Sequence, residues 1–107
     1  MNEKYFLISP EIQQALKNKK PIVALESAVI THGLPYPVNC ELANAMEEIV
    51  KSRGGNPATI AIMNGIIKIG LTLEEIKALA QTKNPIKVSP RNIAIAVRNG
   101  WCGGTTV

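Results

Sequence analysis

The sequence predicts an α/β protein with three layers, in which helices cover a mixed central sheet on both faces. Short apolar runs rich in β-branched residues, at 22–25, 58–63 and 66–69, alternate with segments of helical periodicity. Aromatic residues make up only 4% of the chain, so the core must be built from aliphatic side chains, which favours buried strands covered by helices. At 107 residues the chain is expected to form one domain with an incomplete sheet, because the last residues, 103–107, carry no signal that ends an element.

The amino-terminal segment is predicted to be a helix followed by a buried strand. Ser9 can cap a helix and Pro10 suits the first helical position, so a helix is expected over 10–18. Pro21 ends the helical pattern. The continuous apolar run 22–25 that follows is typical of a fully buried strand.

A loop and the longest predicted helix come next. Two prolines and a glycine within 31–37 indicate an ordered loop. Asn39 is expected to cap a helix that ends at Gly54 and Gly55. The apolar face of this helix is predicted to consist of Leu42, Met46, Ile49 and Val50.

The dipeptide Asn64-Gly65 predicts a β-hairpin in the middle of the chain. It separates the runs 58–63 and 66–69, which are rich in β-branched residues. Both turn residues tolerate the positive φ angles that a two-residue hairpin loop requires.

Three shorter elements are predicted in the last third. Thr72 and Glu75 have the spacing of a capping box, which predicts a helix through about residue 80. The triplet 87–89 is expected to be a brief strand, and 92–99 a helix.

The charge balance favours a small anionic substrate over a nucleic acid. The formal net charge is +4 and the isoelectric point is near 9.3, which would suit a phosphate backbone. The basic residues are scattered, however, and the few aromatic residues provide no platform for stacking bases. We therefore expect no nucleic-acid partner.

The cysteine spacing and the hydropathy pattern indicate the cellular compartment. Cys40 and Cys102 match no zinc-ligand spacing and are expected to be reduced thiols. No apolar run approaches the roughly 20 residues that a membrane-spanning helix needs, so no membrane partner is expected. The predicted compartment is the cytoplasm.

Glu26 is the first candidate catalytic residue. It follows the predicted buried strand 22–25, and ligands of α/β sheets bind at the carboxyl ends of strands. A carboxyl group in such a position can act as a general acid. The alternative is an ordinary carboxylate at a strand end, paired with a lysine.

Three further candidates have similar alternatives. His32, the single histidine, could act as a base or could only support its loop by hydrogen bonding. Lys87 could pair with a phosphate or could be a solvated lysine on an edge strand. The segment 103–107 could offer backbone N–H groups to an anion at the start of a helix. These residues alone do not define a reaction.

Four blocks of sequence, in order, resemble the pseudouridine-5'-phosphate glycosidases. The run 23–39, VALESAVITHGLPYPVN, resembles the signature region of that family. The stretch 54–70, the triplet Lys-Val-Ser at 87–89 followed by Arg91, and Gly-Thr-Thr-Val at 104–107 resemble later blocks. The chain is thereby identified as the amino-terminal part, 1–107, of a larger domain of this family.

The resemblance implies an activity and a cofactor. Members of the family reversibly cleave the C–C glycosidic bond of pseudouridine 5'-phosphate, giving uracil and ribose 5-phosphate. The implied mechanism opens the ribose and forms a Schiff base with a lysine, assisted by a glutamate and by a divalent metal, usually Mn²⁺. A lysine imine acts as an electron sink, which makes a carbon leaving group feasible.

The resemblance also implies residue roles. Glu26 matches the proton donor, Lys87 matches a lysine that contacts substrate, and Val107 matches a substrate-binding residue. Thr31 and His32 are implied to form part of the pocket wall.

The sequence departs from the family pattern in two ways. Ala28 and Leu34 are mild changes, whereas Pro90 and Asn92 replace a common Arg and Asp and remove charges beside Lys87. The metal-binding aspartate and the Schiff-base lysine belong to later segments, so no metal ligand is expected in this chain.

Two hypotheses follow. In the first, the chain is a truncated or split glycosidase, inactive alone, whose full-length relatives form homotrimers. In the second, it is a non-catalytic remnant that associates with a full-length homologue.

Overall fold

The computed structural model describes residues 5–106, which form six strands and five helices. The strands are β1 (Phe6–Ile8), β2 (Ile22–Leu25), β3 (Asn56–Met63), β4 (Ile66–Ile69), β5 (Ile86–Val88) and β6 (Gly103–Thr105). The helices are α1 (Pro10–Lys17), α2 (Ala28–Thr31), α3 (Val38–Ser52), α4 (Leu73–Ala80) and α5 (Ile93–Asn99).

All six strands join one sheet, which is mixed, as predicted. The order is β1-β4-β3-β6-β5, and β2 also pairs with β3. β2 runs parallel to the first half of β3, with Leu25 opposite Thr59. β4 and β6 pair antiparallel with its second half. The long strand β3 is therefore the centre of the sheet.

Two neighbouring residues of β3, Ala61 and Ile62, show that helices cover both faces of the sheet. Both side chains are fully buried, and consecutive strand residues project to opposite faces. Ala61 packs in a cluster formed mainly by α2, α3 and α4, whereas Ile62 packs against α5. The predicted three-layer α/β/α architecture is confirmed.

Several predicted elements are confirmed because nearby residues determine them. Asn64 and Gly65 have φ angles of +51° and +77° and connect β3 to β4. Thr72 and Glu75 form both hydrogen bonds of the capping box at α4. The Ser9 hydroxyl accepts a hydrogen bond from the Ile12 N–H at the start of α1.

The region around α3 differs from the prediction. The short helix α2 was not predicted; it precedes the expected loop and shares only Thr31 with it. Asn39 lies inside the first turn of α3 rather than at its cap. The Asn39 side chain instead donates to the carbonyl oxygens of Ile30 and Ala80, at 2.9 and 3.0 Å. The amide therefore joins α2, α3 and the end of α4.

The buried face of α3 also differs. It consists of Asn39, Ala43 and Glu47, and the predicted core residue Ile49 is exposed. The Glu47 carboxylate accepts a 2.6 Å hydrogen bond from the buried Thr59 hydroxyl. A polar pair thus occupies a position that periodicity assigns to apolar residues.

Two short strands lie outside the sequence prediction. β1 pairs in parallel with β4, and β6 fits between β3 and β5.

Within residues 5–106 no helix is long and apolar enough to cross a lipid bilayer.

Candidate active site

Strands β2 and β6 run toward each other along the same edge of β3 and meet beside Ile60. β2 pairs with β3 as far as Thr59, and β6 pairs with Ala61 and Ile62. The Ile60 carbonyl oxygen lies between the two ladders and accepts hydrogen bonds from the hydroxyls of Ser27, at 2.5 Å, and Thr105, at 2.6 Å. We call this meeting point the β2–β6 junction, defined by Ser27, Ile60 and Thr105.

Glu26 lies at the junction, directly after β2, and its side chain is half-buried. Within residues 5–106 it forms no ion pair with a lysine or arginine, so the alternative of a lysine-paired structural carboxylate does not hold there.

Thr31 and His32 lie on the helix layer above β6. The Thr31 hydroxyl is 2.7 Å from His32 Nδ1, and His32 is exposed. A Cβ atom added to Gly104 would lie 2.3 Å from the Thr31 hydroxyl oxygen and 2.8 Å from the Ser27 carbonyl oxygen. α2 therefore packs directly on β6, and glycine is required at 104 for this approach.

Lys87 lies on β5, the edge strand next to β6. It is exposed and pairs in register with Gly104. Because paired residues project to the same face of a sheet, Lys87 and the α2 helix share one face. Since Ser27 bonds to Thr105, only β6 separates Lys87 from the segment that carries Glu26.

Asn92 stabilises the turn that follows Lys87. Its side-chain amide donates to the Lys87 carbonyl oxygen at 3.1 Å, and its Oδ1 accepts from the Ser89 N–H at 2.8 Å. This position departs from the family pattern in sequence, and the asparagine serves here to fix the backbone of the turn.

The expectation that 103–107 offers free N–H groups to an anion is not met at Thr105. Gly103–Thr105 is a strand, and the Thr105 N–H donates to the Ser27 hydroxyl at 2.9 Å. Thr105 therefore has no N–H left for an anion. The predicted substrate-binding residue Val107 lies outside the described residues.

Sequence reasoning missed Ser27 and Thr105. These two residues lie together only because the ends of β2 and β6 meet along β3, and this contact between distant segments cannot be read from the sequence. The sequence signal available for Ser27 was its location directly after a buried strand, next to Glu26.

The described residues provide no cluster of three protein ligands for a manganese ion. Between residues 5 and 106, no three side chains of His, Cys, Asp or Glu come together. Cys40 and Cys102 are free thiols. A divalent ion in the whole protein would need ligands from elsewhere.

The sequence model of the family described as indigoidine synthase A like protein matches residues 11–107. The chain is also similar to curated pseudouridine-5'-phosphate glycosidases. Identity is 51% over 105 residues with the protein of Staphylococcus aureus (strain MW2), covering 98% of this chain and 34% of the relative. With the protein of Escherichia coli (strain K12), identity is 52% over 101 residues, covering 94% of this chain and 32% of the relative.

Two solved structures have the same fold over this length. One is the prealnumycin C-glycosynthase AlnA in complex with ribulose 5-phosphate, with a TM-score of 0.83 and 39% identity, covering 99% of this chain and 34% of that one. The other is an indigoidine synthase A-like protein from Thermotoga maritima, with a TM-score of 0.81 and 33% identity, covering 100% of this chain and 35% of that one. The chain spans about a third of the length of its relatives.

Proposed function

This chain belongs to the indigoidine synthase A-like family, and from that premise we propose that it carries part of the active site of a pseudouridine-5'-phosphate glycosidase. The proposed reaction is the reversible cleavage, with water, of the C–C bond between uracil and the sugar, which gives uracil and ribose 5-phosphate. The observation that supports the proposal is the β2–β6 junction. Glu26 directly precedes Ser27, Thr31 packs on Gly104 and interacts with His32, and Lys87 pairs with Gly104.

Glu26 is proposed to be the proton donor. When the C–C bond breaks, the uracil carbon that leaves the sugar must take up a proton, and a half-buried carboxyl group at a strand end can supply it. In the synthetic direction the carboxylate accepts the same proton. Glu26 forms no ion pair within residues 5–106, which supports this role, because a salt bridge would hold the carboxyl group in its ionised form and compete with proton donation.

Lys87 is proposed to contact the anionic part of the substrate. A lysine ammonium is a strong partner for phosphate oxygens, and Lys87 shares the α2 face of the sheet with Thr31. The phosphosugar in the prealnumycin C-glycosynthase complex supports a pentose phosphate as the substrate class. Thr31 and His32 are proposed to form the pocket wall.

The remaining parts of the mechanism lie outside the described residues. The Schiff-base lysine, the Mn²⁺ ligand and Val107 are assigned to segments that the structure does not describe, and none of the lysines in 5–106 takes the Schiff-base role. We also propose that the whole enzyme is a cytoplasmic homotrimer, as the family resemblance implies.

A chimera tests the proposal. This chain replaces the matching amino-terminal third of the Escherichia coli relative, with which it shares 52% identity, and uracil release from pseudouridine 5'-phosphate is measured with Mn²⁺. We expect activity in the chimera and a fall in kcat of about 10²- to 10⁴-fold for Glu26→Gln. Glu48→Gln, an exposed position on α3, is the matched control and should leave kcat unchanged.

Two results would overturn the proposal. One is a folded chimera without glycosidase activity, which would favour the non-catalytic remnant. The other is a Glu26→Gln chimera that is as active as its parent, which would remove Glu26 from the proton transfer.

A further inference from the structure

The Ser27 side chain forms the most hydrogen bonds of the polar side chains at the β2–β6 junction. It is 0% exposed. Its hydroxyl donates to the Ile60 carbonyl oxygen at 2.5 Å and accepts from the Thr105 N–H at 2.9 Å, while its own N–H donates to the Thr105 carbonyl oxygen at 2.9 Å. One serine thus connects β2, β3 and β6.

These bonds argue against a nucleophilic role for Ser27. A nucleophilic serine needs a side-chain base that accepts its proton. The Ser27 proton goes to a backbone carbonyl, and the nearby Thr105 hydroxyl, at 3.5 Å, is not a base. The role of the side chain must therefore be geometric.

We propose that Ser27 is the positioning residue of the glycosidase site, acting through Glu26. This inference rests on the proposed function. Glu26 directly precedes Ser27 in the chain, so the bonds of Ser27 fix the backbone that carries the carboxyl group. They also fix the position of this backbone relative to Thr105.

The expected effect follows from how sharply proton transfer depends on distance. A misplacement of about 1 Å in a catalytic group can cost about 100-fold in rate. Without the Ser27 hydroxyl, the Thr105 N–H loses its acceptor. Only the bond from the Ser27 N–H to the Thr105 carbonyl oxygen then joins the two segments directly, so β2 and β6 can shift relative to each other. The Thr105 hydroxyl still donates a hydrogen bond to the Ile60 carbonyl oxygen, so β3 itself should remain in place.

The kinetic test uses the chimera defined above. Ser27→Ala should lower kcat by about 10- to 100-fold and change KM by less than about threefold, because substrate contacts remain while the donor is displaced. Ser52→Ala, a serine at the exposed end of α3, is the matched control and should have no effect. A Ser27→Ala chimera with kcat within about threefold of its parent would overturn the inference.

A double substitution separates positioning from a general structural role. If Ser27 acts through Glu26, then Glu26→Gln with Ser27→Ala should be no slower than Glu26→Gln alone. If the fold-losses in kcat of the two single variants multiply in the double variant, Ser27 acts by a route other than Glu26. Thr105→Ser, which keeps the hydroxyl bond to Ile60, should retain kcat, whereas Thr105→Val should lose part of it.

A third measurement needs no activity. In the 107-residue chain, Ser27→Ala should speed hydrogen exchange of the Thr105 amide by about tenfold or more, while amides in β4 stay protected. If this variant does not fold, Thr105→Val is compared with Thr105→Ser in the same way. Unchanged exchange would overturn the positioning role even if the chimera proved inactive, and an inactive parent chimera with the expected exchange would count against the proposed function alone.

Discussion

The Lys68 ammonium group and the Glu75 carboxylate form an ion pair that joins strand β4 to helix α4. The same carboxylate accepts a 2.9 Å hydrogen bond from the Thr72 N–H and completes the capping box. Burial alone would raise the pKa of Glu75. The hydrogen bonds from Lys68 and Thr72, together with the Lys68 charge, outweigh burial and hold that pKa below its ordinary value.

We predict that Glu75→Gln reduces the acid dependence of stability. A carboxyl group whose pKa is lower in the folded state stabilises that state above its unfolded pKa, near 4.5, and this stabilisation is lost as the pH falls through the folded pKa. Glutamine keeps the capping-box spacing but not the charge, so the cost at neutral pH should be about 0.5–1 kcal/mol.

Urea denaturation of the chain measures this effect at neutral and at acidic pH. The difference between wild type and Glu75→Gln should shrink in acid. Glu74→Gln, an exposed neighbour on the same helix, should change stability much less. A difference that stays constant across the acid range would show that the ion pair contributes nothing that depends on pH.

Thr59→Val should destabilise the fold by removing the only side-chain hydrogen bond of the buried Glu47 carboxylate within the described residues. Valine has nearly the shape of threonine, so packing is preserved and the carboxylate is left without its donor. The expected cost is about 1–3 kcal/mol in the free energy of unfolding. Thr82→Val, at a partly exposed position after α4, is the control, and an equal cost at both positions would refute the argument.

The elements that sequence reasoning located correctly are those determined by neighbouring residues. The positive φ angles of Asn64 and Gly65 and the capping box of Thr72 and Glu75 depend on chemistry within a few positions. The position of Glu26 directly after strand β2 was predicted in the same way, because a polar residue that follows an apolar run is visible in the sequence.

The parts that were missed depend on contacts between distant segments. Ser27 and Thr105 are 78 residues apart, and no local pattern indicates that their hydroxyls share one carbonyl oxygen. The face of α3 was misassigned because its buried polar residues, Asn39 and Glu47, find partners on α2, α4 and β3. Helical periodicity is judged from the spacing of apolar residues and carries no information about hydrogen-bond partners on other elements.

Asn39→Ala should destabilise the helix layer by about 2–3 kcal/mol, because a buried carbonyl oxygen, that of Ile30, and a partly buried one, that of Ala80, lose their donors. Asn44→Ala on the same helix is the matched control. Its buried Oδ1 has no hydrogen-bond partner within the described residues, so removing the amide should cost less than about 0.5 kcal/mol. Thermal unfolding followed by circular dichroism compares the two, and a smaller loss for Asn39→Ala than for Asn44→Ala would contradict the prediction.

Lys87→Met should weaken substrate binding in the chimera with the Escherichia coli relative. Methionine keeps the length of the side chain but removes the charge that is proposed to contact the phosphate. We expect KM for pseudouridine 5'-phosphate to rise by about 10- to 100-fold, with a smaller change in kcat. Lys83→Met removes an equally exposed charge outside β5 and should leave KM unchanged. An unchanged KM for Lys87→Met would exclude the phosphate contact.

Gly104→Ala should be among the most damaging single-methyl additions in this chain. The new Cβ atom would lie 2.3 Å from the Thr31 hydroxyl oxygen, 2.8 Å from the Ser27 carbonyl oxygen and 2.9 Å from the Ala28 Cα atom. Two of these three atoms belong to the backbone and cannot rotate away, so β6 must separate from α2. Overpacking of this kind costs about 1–3 kcal/mol.

Gly100→Ala provides the comparison for Gly104→Ala. Gly100 has a φ angle of +68°, and an added Cβ would have no atom within 4 Å, so only the left-handed backbone is penalised, by about 1 kcal/mol. Combining Gly104→Ala with Thr31→Ala should recover only a small part of the loss, because that change removes the side-chain clash and leaves the two backbone clashes. Urea denaturation of the three variants decides the matter: full recovery in the double variant would mean that the Thr31 side chain, rather than the approach of α2 to β6, is what requires glycine at this position.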